Sequence, residues 1–305
     1  MTSKQNLTAE DIVRLTQQLS NWGRWGNDDQ RGALNLITSA KRREAAARVR
    51  EGISISLAHN AIKVPVGNLP PFAHRMIQTG LTPGAEACAD EFTVPVHGYT
   101  ETHLDALCHV FYRGKMYNGF PQSSVSEQGA ADLSVLTMKD GIITRGVLMD
   151  FPRLLGVEYL PGSRAIVPGD LAAWEKATGA AIERGDAVFV RTGRWARYAT
   201  EGEWDFETDS AGLDVFCAPW FRQRDVAVMA SDLALDVMPS GVPGVRLPVH
   251  LLTIVAMGVP IIDNCDLEAL GASAQEHRRW DFTLVVAPLA VPGATGSPVN
   301  PIAIF

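Results

Sequence analysis

Val96-His97-Gly98-Tyr99-Thr100-Glu101-Thr102-His103-Leu104-Asp105-Ala106-Leu107-Cys108-His109-Val110-Phe111 holds three of the seven histidines of the chain, together with two carboxylates. All five of these residues stand at odd positions. On an extended strand, residues two apart point to the same face. His97, Glu101, His103, Asp105 and His109 are therefore expected to share one side. Gly98, Thr100, Leu104, Ala106, Cys108 and Val110, mostly small or apolar, would face the other. His103 and Asp105 would leave the strand about 7 Å apart, close enough to converge on one divalent cation. A strand of this length exceeds the usual five or six residues or so, which places a bend near Ala106–Cys108 that returns His109 over the site. The plainer reading is a hydrogen-bonded His-x-Asp pair at a strand edge. The crowding of so scarce a residue type favours a metal or catalytic site.

Composition sets the outer bounds. The chain has 305 residues, 46% hydrophobic and 20% charged, which is ordinary globular composition. No Gly/Ser/Pro-rich linker divides it, so residues 1–50 read as a helical extension packed on a single domain built from 51–305. Twenty-seven Lys and Arg against 34 Asp and Glu give a formal charge of -7, which argues against nucleic acid as a partner. No apolar run nears the eighteen or so residues of a membrane span, and the polar start Thr2–Asn6 lacks the apolar centre of a secretory signal. A soluble, cytoplasmic protein without a membrane partner is expected. Cys88, Cys108, Cys217 and Cys265 show no CxxC spacing and read as reduced, buried apolar residues. The even register of Cys108 places it in the core rather than at the chemistry.

The pattern elsewhere is that of a mixed α/β chain. Thr8 caps a helix with Ile12, Leu15 and Leu19 on one stripe, and Thr38 or Ser39 caps a second running to Arg50. Trp22–Asn35 reads as loop. Ile53–Leu57 alternates as a strand, with His59 at its end. Pro65, Pro70 and Pro71 make the following segment irregular, and Thr93–His97 leads into the central stretch as a strand. Tyr112, Met116 and Tyr117 lie on a long loop that walls a pocket or fills core. Gly146–Phe151, Ala187–Arg191, Val226–Ala230, Val259–Asp263 and Phe282–Ala287 read as strands. Pro168–Gly179 and His250–Met257 read as helices.

Polar residues at the ends of apolar segments are the further candidates. His250 opens an apolar helix, and a histidine on a buried face needs a polar partner. Asp263 and Asp232 close apolar strands. Arg191 ends another, as an ion pair or a carboxylate site. There is no GxGxxG, GxxxxGK[ST] or GxSxG, so dinucleotides, P-loop nucleotides and the esterase-type serine elbow are not indicated.

Thr102-His103-Leu104-Asp105-Ala106-Leu107-Cys108-His109 resembles the T-H-x-D-x-P-x-H signature of the cyclase family, the group of kynurenine formamidase and isatin hydrolase. Trp25–Asp29, Leu34–Thr38, Phe111–Gly119, Leu247–His250 and Asp263–Glu268 resemble the longer bacterial branch of that family, so the likeness runs along nearly the whole chain. It implies a swivelling β/β/α fold, a homodimer or homotetramer, and one or two divalent ions, zinc or manganese. By position it makes His103 and Asp105 metal ligands, His109 the proton-shuttling base and His250 a further metal-binding residue. Tyr99 stands where the family has its first ligand histidine, and Glu101 where it has glycine. Leu107 replaces the proline of the motif, and Asp263 a glutamate.

The resemblance implies metal-assisted hydrolysis of a C–N or C–O bond (amide, lactam, formamide or lactone) in a small cyclic or aromatic substrate. His103 and Asp105 would hold the cation with one or two of His97, Glu101, His250 and Asp263. Tyr99 and Glu101 also leave open a metal-free binding protein, and a non-hydrolytic cyclase is a third reading.

Overall fold

The structure is a computed structural model, and it describes residues 7–66 and 70–305. Thr8 accepts from the Asp11 amide while the Asp11 carboxylate accepts from the Thr8 amide, so a capping box opens helix α1 (Ala9–Leu19). Losing such a cap costs about 1 kcal/mol. Ile12 and Leu19 on its apolar stripe are buried, and the helix rests on the π-helical segment Leu251–Ala256.

Thr38 caps α2 (Ser39–Ala46), and β1 (Ser54–Ser56) follows. A hairpin of β2 (Ala73–Gln78) and β3 (Ala89–Thr93) precedes β4 (His103–Asp105). Then come β5 (Ile142–Asp150), α3 (Phe151–Leu155), α4 (Pro168–Thr178), β6 (Ala187–Arg191), α5 (Arg194–Glu201), α6 (Ala218–Gln223) and β7 (Val228–Ser231). A short turn α7 (Pro248–His250) runs into the π-helix, and β8 (Ile261–Asp263), α8 (Glu268–His277), β9 (Asp281–Val286), β10 (Gly296–Pro298) and β11 (Ile302–Ile304) complete the chain.

Nine strands form one sheet in the order β1-β11-β9-β5-β6-β7-β8-β4-β10. The four central strands β5, β6, β7 and β8 are parallel, and both flanks are antiparallel. Ala187, Val188, Phe189 and Val190 are all buried, the continuous apolar run of a strand covered on both faces. Trp174 of α4 is almost fully buried, worth about 1.5–3 kcal/mol for a large side chain. The parallel strands end side by side on Asp150, Arg191, Ser231–Asp232 and Asp263. Strand β4 runs antiparallel to β8, which sets His103 opposite Asp263. Ligands of parallel sheets gather at that edge. The mixed α/β class is as expected.

Several sequence expectations are corrected. The single long strand is only three residues, His103–Asp105, and residues 94–102 are irregular, with Gly98 at φ 124°. Strand β3 stops at Thr93, just before Pro95, which has no amide to donate. Strands β2 and β3 were hidden because both their faces are largely exposed, so no period-two apolar pattern marks them. Helix α2 ends at Ala46 rather than Arg50; the Arg48 carbonyl accepts from Arg279 and its guanidinium reaches Asp281. The expected helix at His250–Met257 is a short α-turn continued as a π-helix. Cys88 is exposed, unlike the other three cysteines, and all four are free. No described helix is long and apolar enough to cross a membrane.

Candidate functional site

Strand β4 carries His103 and Asp105 on one side of Leu104, and all three are buried. The ring Nδ1–H of His103 donates to the Glu101 carbonyl at 2.8 Å, which leaves Nε2 facing Asp105 Oδ1 at 3.4 Å. A carbonyl partner of this kind fixes the ring and tautomer of a metal-binding histidine. The chain then turns at Ala106–His109, closed by the His109 amide on the Ala106 carbonyl. This bend, at the expected place, brings His109 Nε2 to 3.8 Å from Asp105 Oδ2. His97 arrives from the irregular segment before β4. Its Nδ1 donates to Asp105 Oδ1 at 2.9 Å, Thr295 Oγ1 lies 2.9 Å from Nε2, and its ring stacks on His109 with centroids 3.6 Å apart.

The second half of the site comes from β8 and the α7 turn that precedes the π-helix. His250 Nδ1 donates to Asp236 Oδ2 at 2.6 Å, and its Nε2 lies 3.1 Å from Asp263 Oδ2. Asp263 Oδ1 is buried with no hydrogen-bond partner among the described residues. One ligand atom each from His103, Asp105 and Asp263 lie within 4.8 Å of one another, and so do those of His97, Asp105 and His109. Asp105 belongs to both groups. An orphaned buried carboxylate oxygen beside an imidazole and a second carboxylate fits a divalent cation, which would supply the missing partner.

The electrostatics follow from this crowding. Burial alone would raise Asp105, but His109, His103 and His97 outweigh it and hold the carboxyl well below its ordinary range. Burial opposes charge on His250, yet Asp263 and Asp236 raise it well above a free imidazole. Burial pushes His109 down to about 4 against the pull of Asp105. Burial raises the Cys108 thiol to about 12, so it is no nucleophile at neutral pH.

Of the residues singled out in the sequence, His97, His103, Asp105, His109, His250 and Asp263 come together. Glu101 does not join them. It is on the irregular approach to β4, where strand alternation does not apply, and its Oε1 accepts from the Ile62 amide at 3.2 Å. Tyr99 is turned to Arg246, whose Nη2 donates to its phenol at 3.0 Å. Tyr117 and Met116 fill core rather than a pocket wall. Arg191 is bound by Asp150 and Glu268. Asp232 accepts from the Thr192, Gly193 and Arg194 amides.

The sequence reading missed Asp236, Asn264, Arg194 and Thr295. Asp236 is a lone acid inside the buried run Leu233–Met238, and that alone could have flagged it. Asn264, at φ 57°, donates to the Gly98 and Glu101 carbonyls, while Arg194 binds Asn264 Oδ1 and the Tyr99 carbonyl. Together they clamp the segment that delivers His97 and His103.

The family model described as Cyclase matches residues 13–236. A crystal structure of a novel cyclase is 32% identical, covering 94% of this chain and 100% of that one at a TM-score of 0.86. Isatin hydrolase A from Ralstonia solanacearum is 18% identical, covering 86% of this chain and 94% of that one, with a TM-score of 0.61. A predicted metal-dependent hydrolase from Bacillus stearothermophilus is 17% identical, covering 83% and 98%, with a TM-score of 0.50. These last two are alike in fold. No curated protein matches the sequence. With the family model spanning well over half of its length, this chain of mixed α/β fold belongs to the cyclase family.

Proposed function

We propose that the chain is a metal-dependent hydrolase of a C–N or C–O bond (amide, lactam, formamide or lactone) in a small cyclic or aromatic substrate. The observation that carries this reading is the convergence of His103, Asp105 and Asp263, with a buried carboxylate oxygen left over and His109 across the same Asp105. The fold likeness to isatin hydrolase and to a metal-dependent hydrolase supports it.

His103, Asp105 and Asp263 would hold the cation, zinc or manganese, while His97 and His250 brace the two carboxylates through hydrogen bonds. A divalent ion there supplies a Lewis acid for the scissile carbonyl and makes an adjacent water more acidic. His109 is the general base. Burial keeps its imidazole neutral at pH 7, so Nε2 accepts the proton of the attacking water, and the Asp105 carboxylate at 3.8 Å stabilises the resulting cation. The same nitrogen then gives the proton to the leaving nitrogen or oxygen. We assign the protein to the cytoplasm, where its free thiols stay reduced, as a homodimer or homotetramer.

The test is the metal content of protein purified without chelator or a metal-binding tag, beside a His103→Ala/Asp105→Ala double variant. One or two equivalents in the parent and almost none in the variant is the expected result. A parent that takes up neither zinc nor manganese returns the metal-free binding protein as the working reading. Product mass distinguishes hydrolysis, which adds a water, from ring closure.

A further inference from the structure

Beside the clustered histidines and carboxylates lies a small apolar group separate from the main core. Val66, Phe206 and Leu233 are buried in it, and Tyr99 and Trp204 pack against them. The rings of Tyr99 and Phe206 have centroids 5.5 Å apart, and Trp204 meets Phe206 edge-on at 4.7 Å. Two links tie this group to the site. The Leu233 carbonyl accepts from the amide of Asn264, the residue after Asp263. Tyr99 lies between His97 and His103, with its carbonyl held by Arg194, which also binds Asn264.

Donors without matching acceptors surround this aromatic wall. The Trp204 indole N–H is buried and has no acceptor among the described residues. Arg246 uses one nitrogen, Nη2, for both the Tyr99 phenol at 3.0 Å and Glu207 Oε1 at 2.5 Å. Its Nε and Nη1 have no partner among the described residues. The Arg246 and Glu207 side chains are 54% and 58% exposed, and an ion pair that open is weak and readily displaced. A ligand carboxylate that also buries its apolar body can therefore take the place of Glu207. A guanidinium binds a planar carboxylate through two parallel N–H groups.

Resting on the hydrolase reading above, we infer that Arg246, oriented by Tyr99, selects substrates that carry a carboxylate on an apolar or aromatic body, with that body lying on the half-buried rings of Tyr99 and Trp204, which the buried Phe206 backs. The residue standing where the family has a ligand histidine thus serves substrate recognition. Arg246 is a specificity residue and takes no part in bond cleavage.

The probes are 2-formamidobenzoate and formanilide, the same aryl formamide with and without a carboxylate. With metal-loaded protein, kcat/KM should favour 2-formamidobenzoate by at least about tenfold, the scale of a charge-assisted fork. In Arg246→Gln the ratio should fall to near one, through KM rather than kcat, and Arg246→Lys should restore only part of it. Equal kcat/KM for the two probes in the parent, or an unchanged ratio in Arg246→Gln, overturns the proposal while leaving hydrolysis intact. Binding of benzoate, followed by tryptophan fluorescence, separates the two readings. Saturable binding lost in Arg246→Gln, without turnover of either probe, supports carboxylate recognition and removes these formamides from the hydrolase reading. Neither binding nor preference overturns the recognition proposal.

Discussion

Asp236 Oδ2 accepts from His250 Nδ1 at 2.6 Å, and the same carboxylate accepts from the backbone amides of Val249 and His250. Both side chains are buried. One acid therefore starts the helical turn and aims the imidazole at Asp263. Removing one member of a buried pair costs about 3–5 kcal/mol, because its partner stays behind unpaired. Asp236→Ala should lower stability by that order in urea unfolding. Asp236→Asn, which can still accept from backbone, should lose less stability yet weaken metal binding by about 10–100-fold in a chelator competition. A variant with parental stability and affinity would remove Asp236 from the site.

His109 meets Asp105 only at 3.8 Å and stacks on His97, so it is the site imidazole least tied by hydrogen bonds. His109→Ala should keep the metal content of the parent while kcat falls by about 10²–10⁴, the usual loss of a general base. Metal analysis alongside turnover on a hydrolysed amide checks both halves. Turnover equal to the parent would give the base to another group.

Arg24 forks onto Asp225 with both contacts at 2.6 Å, pinning the Trp22–Asn35 loop to the body. Hydrogen bonds from Arg24 lead the effects that hold the Asp225 carboxyl below its ordinary range, against burial. A carboxyl lowered in the folded state stabilises above its unfolded pKa, near 4, and loses that contribution as pH falls through the folded value. Asp225→Asn should cost roughly 0.5–1 kcal/mol at pH 7. The gap from the parent should close between pH 4 and pH 2 in denaturant titrations. A gap that stays constant with pH would show the fork to be electrostatically silent.

The sequence made the site's membership legible for a reason that differs from the one in the structure. His97, His103, Asp105 and His109 do meet, but strand alternation relates only His103 to Asp105. A tertiary contact, the Asn264–Arg194 clamp, delivers His97, while the local Ala106–His109 turn, at the bend the sequence led one to expect, returns His109. Glu101 shows the limit, since equal spacing on an irregular segment turned it to Ile62. The parallel strands were readable because continuous apolar runs mark strands buried on both faces. Strands β2 and β3, exposed on both faces, left no such mark. Thr295 is 198 residues from its partner His97, and no local pattern encodes such a contact.

Sheet packing makes the last prediction. Gly146 on β5 pairs directly with Phe282 on β9, and a Cβ built on Gly146 would lie 2.2 Å from the Phe282 ring. Phe282 is buried and also packs on Phe189 and Phe305, so the ring has little room to withdraw. Gly146→Ala should therefore destabilise by about 1–3 kcal/mol, the cost of overpacking a filled core, even though alanine suits a strand no worse than glycine. The double variant Gly146→Ala/Phe282→Leu should recover part of the loss, because the smaller side chain frees the space that the methyl takes. The coupling is read from a double-mutant cycle in urea, where neighbours in contact show about 0.5–3 kcal/mol of interaction. Strict additivity would mean that the β5–β9 ladder moves apart instead, and that this pair does not set the spacing of the sheet.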